Sequence, residues 1–78
     1  MSNIQNEIIK VTELIVNNKV KFIKLIEKYE GISIKDYVIG IETEFHIDYV
    51  KLYCITEVEF YELKLNYYDF DDIMKELY

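Results

Sequence analysis

The sequence predicts a mostly α-helical single domain over residues 1–78, a small helical bundle, on three observations. Apolar residues recur at helical spacing from Ile4 to Tyr29. Pairs with capping-box separation stand at Ser2 and Gln5, Ser33 and Asp36, Thr56 and Glu59, and Asp69 and Asp72. Between residues 41 and 68 there is no Gly, no Pro and no Asn-Gly or Asp-Gly pair to close a β-hairpin.

The first helix is expected over 3–16, where Ile4, Ile8, Val11 and Ile15 form one stripe behind the Ser2 box. A second, over 19–29, continues the stripe through Phe22, Leu25, Ile26 and Tyr29 and ends before Gly31, whose freedom at positive φ suits the position past a helix end. Asn17 and Asn18 either separate the two helices or lie within one long one. Further helices are expected at 34–45, 48–55, 57–66 and 70–77. The first of these opens on the Ser33 box with Ile32 and Tyr37 as a hydrophobic staple, and Ile34, Val38, Ile41, Phe45, Tyr49 and Leu52 then share a face. In segment 57–66, Val58, Tyr61 and Leu65 fall opposite Phe60, Leu63 and Tyr67, so it is either doubly buried or a strand.

The alternative is an α+β fold with helices flanking a small antiparallel sheet at about 37–67. Ile39, Ile41, Thr43, Phe45, Ile47 and Tyr49 alternate with Gly40, Glu42, Glu44, His46 and Asp48, and a second alternation runs through Tyr61, Leu63, Leu65 and Tyr67. The missing turn residues favour the helical reading.

A chain of 78 residues makes one domain and hides only roughly 60 per cent of its unfolded surface, so its core is thin. The hydrophobic fraction of 51% excludes disorder, and no run is long enough for a spanning helix or a signal peptide's core, which predicts a cytoplasmic protein. Cys54 has no second cysteine to pair with and reads as a small buried hydrophobe. All nine cations are Lys, with no Arg, Ala or Trp, a bias that suits an AT-rich genome such as that of a low-GC bacterium or its phage.

No catalytic, metal or cofactor motif stands out. His46 is the only histidine, beside Glu44 and Asp48, with no second group at recognisable spacing. Asp69, Asp71 and Asp72 lack the glycine turn and distal glutamate of a calcium loop and read as acids at a helix start. There is no phosphate loop and no nucleophile elbow. Segments 34–45 and 48–55 have the lengths of a helix-turn-helix, but Lys51 is the only cation of the second.

Charge is divided along the chain. Residues 1–32 carry five Lys and four Glu, a net of +1, whereas residues 33–78 carry four Lys and eleven acids, a net of −7. Residues 55–72 set Glu57, Glu59, Glu62, Asp69, Asp71 and Asp72 among Tyr61, Tyr67 and Tyr68. Carboxylates steer encounters and tyrosines give contact area, so these nine residues are the expected contact surface for a basic protein, itself a candidate nucleic-acid binder that the acids would engage by mimicking phosphates. The expected role is a non-enzymatic interaction module, an inhibitor or adaptor of phage or mobile-element type. Two alternatives stand beside it. One is a DNA-binding regulator resting on the row Lys10, Lys21, Lys24 and Lys28. The other is a self-associating structural protein, a homodimer joined through the second helical stripe, Ile9, Val16, Val20 and Ile23.

Overall fold

The computed structural model describes the backbone of residues 3–78 and the side chains of residues 9–78. The Ser2 capping box therefore lies outside the described residues. Helix α1 (Asn3–Asn17) leads into α2 (Lys19–Glu30), followed by strands β1 (Gly40–Phe45), β2 (Tyr49–Ile55) and β3 (Phe60–Asn66) and helix α3 (Tyr67–Leu77). The strands form one antiparallel meander in the order β1-β2-β3.

The three helices stand where the periodicity puts them. Asn18 interrupts the first pair with its backbone at φ −124 and ψ 38, and its side-chain amide donates to the Leu14 carbonyl at 2.9 Å. Its own carbonyl accepts from Phe22 N at 2.8 Å, so α2 starts without a gap in the bonding. Gly31 closes α2 in the left-handed region at φ 66, donating its N–H to the Glu27 carbonyl. Helix α3 is capped by Asn66, whose side-chain oxygen accepts from Asp69 N at 2.8 Å. The Asp69–Asp72 box is thus displaced by one turn, and Asp69 is the third residue of that helix and not its cap.

Residues 34–66 correct the mostly helical expectation: the alternative α+β reading is the one that fits. The helices expected at 34–45, 48–55 and 57–66 are a linker with β1, β2 and β3. Segments 34–45 and 48–55 consequently form no helix-turn-helix.

The physical reason lies in how the two turns are made. Each hairpin is closed by two residues, Ile47–Asp48 and Glu57–Val58, and no non-glycine residue among those described has positive φ. A two-residue hairpin ordinarily exchanges two backbone bonds across its closing pair and needs left-handed residues to do so. Here one bond of each pair survives, from His46 N to Tyr49 O and from Thr56 N to Glu59 O, both at 2.9 Å. The other is diverted to side chains. The His46 carbonyl takes the Tyr67 hydroxyl. The Thr56 hydroxyl accepts from Glu59 N at 3.1 Å and donates to Glu59 O at 2.7 Å. The Thr56–Glu59 spacing that reads as a helix cap is a hydroxyl-closed β-turn.

The Ser33–Asp36 box starts no helix because the linker is pinned on both sides. Ile34 N donates to the Glu27 carboxylate at 2.8 Å, and Ile34 and Val38 are buried with Cys54, against Ile23 and Tyr61.

One face of the sheet meets the helices. Val50, Leu52 and Leu65 join Ile15, Phe22, Leu25 and Ile26 with Phe70, Ile73, Met74 and Leu77 in the main core. Phe45 meets Phe70 edge to face at 5.8 Å. Of the residues expected to share a face, Ile34, Val38, Ile41, Phe45 and Leu52 do turn inward, because either periodicity puts them in the core. Tyr49 belongs to the opposite face.

Candidate functional site

The other face of the sheet is uncovered, and its residues follow from the register. Glu42, Tyr53 and Glu62 form one cross-strand row, Glu44, Lys51 and Lys64 the next, and Gly40, Ile55 and Phe60 another. Tyr49 stacks on His46 with ring centroids 4.4 Å apart, and the imidazole Nε2 lies 2.6 Å from Glu44 Oε1. Lys51 is 3.6 Å from Glu62. Burial alone would lower the Lys51 ammonium, but the Glu62 carboxylate and the hydroxyls of Tyr53 and Tyr49 outweigh it and leave it raised.

At the end of the sheet that carries the β2–β3 turn, apolar and acidic side chains are exposed together. Ile39 is 54% exposed, Val58 72% and Phe60 61%. Ile39 and Val58 line a hollow of about 200 Å³ with Asp36, Tyr37 and Glu57. Asp36 and Tyr37 continue into a trough of about 210 Å³ that reaches Val20, Ile23 and Val38 on α2 and the linker. Lys19 spans this trough, donating to the Tyr37 hydroxyl at 2.8 Å with its ammonium 4.3 Å from the ring centroid. Glu59 accepts from the Tyr61 hydroxyl at 3.1 Å. Burial, then Glu59 and Asp36, push the Tyr61 phenol up.

The nine residues expected as one acidic surface occupy three places. Glu57 and Glu59 stand at the β2–β3 turn, Glu62 is on the bare sheet face paired with Lys51, and Asp69, Asp71 and Asp72 begin α3 at the far end of β3. Seven residues of strand at about 3.4 Å each put roughly 20 Å between the two ends. Tyr61 and Tyr67 are half-buried, packed against the two core clusters, while Tyr68 is 86% exposed. At the α3 end, burial and then Asp72, Glu76 and Asp69 push the Tyr29 phenol up, and burial and Asp69 raise Glu30. No group of three or more His, Cys, Asp or Glu side chains among the described residues is placed to hold a metal ion.

The second helical stripe is outward: Ile9, Val16 and Val20 are exposed, whereas Ile23 is covered by the linker. Lys10, Lys21, Lys24 and Lys28 are exposed as well. Glu42, Tyr53 and Phe60 are not marked out by motif or charge count. The signal for them is the strand alternation together with the register, which sorts each strand into a buried and an outward set.

None of the described helices is long and apolar enough to cross a membrane. No family model, curated protein or solved structure matches the chain.

Proposed function

We propose that this chain is a small, non-enzymatic protein-interaction module, an inhibitor or adaptor of phage or mobile-element type, that docks on a basic protein surface through the end of the sheet bearing the β2–β3 turn. One observation carries the reading: Ile39, Val58 and Phe60 stand more than half exposed among the carboxylates of Asp36, Glu42, Glu57 and Glu59. Exposed apolar side chains rimmed by polar ones mark interaction sites, and a single sign of charge around them selects the opposite sign in the partner. Apolar contact supplies the affinity and the carboxylates supply the encounter rate. Of the acids expected from sequence, Glu57 and Glu59 belong to this surface, joined by Asp36 and Glu42.

Affinity capture from a low-GC bacterial lysate tests this, with the native chain and an Asp36→Lys, Glu57→Lys double variant run side by side and washed at low and high salt. The expected result is a basic protein held by the native chain at low salt, released at high salt and not held by the variant. Retention indifferent to both salt and charge reversal would sink the reading.

A further inference from the structure

The bare face of the sheet has three places where aromatic rings meet side-chain charge, and two are filled from within the chain. Lys64 Nζ lies 5.1 Å from the Tyr49 ring centroid. Lys51 Nζ lies 6.0 Å from that of Tyr53 and closes on Glu62. The third is a hollow of about 290 Å³ lined by Glu42, Tyr53, Ile55 and Phe60, with no cation in its lining. Glu42 makes no salt bridge among the described residues.

Gly40 stands directly opposite Ile55 at the start of β1, and a Cβ there would meet the Ile55 side chain at 3.8 Å, an ordinary contact. The volume of the hollow lies at the lower edge of the roughly 300–1,000 Å³ of small-molecule pockets and is ample for one side chain.

We propose that this hollow is a slot for one arginine side chain of the basic partner, an inference that rests on the reading above. The Tyr53 and Phe60 rings, 6.4 Å apart and inclined at 48°, both line the hollow and stand too close to admit a group between them, so a guest would lie over the face of one ring. A guanidinium is flat, lies on such a face and presents a fork of N–H donors to the Glu42 carboxylate, while its methylene stem runs over Ile55. A lysine ammonium, compact and strongly hydrated, makes neither the stacked nor the forked contact.

The test is titration of the isotope-labelled full chain with a tetra-arginine peptide, followed by amide shifts, with tetra-lysine and tetra-citrulline as comparisons. Shifts are expected at Gly40, Glu42, Tyr53, Ile55 and Phe60, with no response to tetra-citrulline. Glu42→Gln and Phe60→Ser are each expected to weaken binding about fivefold or more, and tetra-lysine to bind at least about threefold more weakly than tetra-arginine. Dispersed amide spectra of both variants are the check that they remain folded. Shifts confined to Asp36, Glu57 and Val58, with Glu42→Gln neutral, overturn the slot and leave the basic-partner reading standing. Equal affinity for tetra-lysine at the same residues overturns the preference for arginine. No shift with any cationic peptide overturns both.

Discussion

The two faces of the sheet share every backbone bond and almost nothing else. On the inner face Val50, Leu52 and Cys54 of β2 are wholly buried, while Tyr49, Lys51, Tyr53 and Ile55, one residue out of phase, remain partly open to water. The inner set is shape-constrained, since each side chain fills volume between sheet and helices. The outer set is only partly buried, and it is assembled from aromatic rings, carboxylates and lysines in fixed cross-strand rows. The period-two geometry of a strand thus lets seven residues of β2 hold the fold and present a surface at once.

Substitutions can break or sharpen that separation. The largest effect is expected from Leu52→Ala, which empties a fully buried position in the main core. A loss of about 3 kcal/mol is expected, which in a domain this small corresponds to roughly 15 °C in midpoint, read by thermal or urea unfolding followed by circular dichroism. A change below about 1 kcal/mol would mean that the inner face is not the core. Thr56→Ala comes next. It removes both hydroxyl bonds of the β2–β3 turn and is expected to cost about 1–2 kcal/mol. If it is neutral, water replaces the hydroxyl and the turn closes by other means. Smallest is Phe60→Ser on the outer face, with a stability loss of about 1 kcal/mol or less from its cross-strand contacts and its main effect on peptide binding. Strong destabilisation there would erase the distinction between the faces.

The sequence made the helices legible because their signals are local. The stripe through Ile15, Phe22, Leu25 and Ile26, and Gly31 behind it, needs no knowledge of the rest of the chain. The strands were legible as alternation but not decidable, because the evidence that settles them is tertiary. Nothing in the pair Ile47–Asp48 signals a hairpin, and one of the two bonds that close it comes from Tyr67 on another element. Thr56 and Glu59 carry a true local signal with two meanings, since a hydroxyl three residues before a backbone N–H can cap a helix or close a turn. The candidate site was less legible still. The acidity of residues 55–72 was visible, but β3 separates its two ends, and Glu62 is engaged by Lys51. Glu42, Tyr53 and Phe60 become neighbours only when the register brings three strands together.

The unequal clasps on the two turns also bear on the order in which the molecule assembles. Thr56 and Glu59 are three residues apart, so the second hairpin can shut as soon as its own strands meet, at a small entropic cost. The first has its backbone bond but gains the second from a hydroxyl 21 residues downstream, which arrives only as the last helix docks. Removing the Thr56 hydroxyl is therefore expected to slow folding, and removing that of Tyr67 chiefly to hasten unfolding, a difference that stopped-flow rates of the two variants would expose.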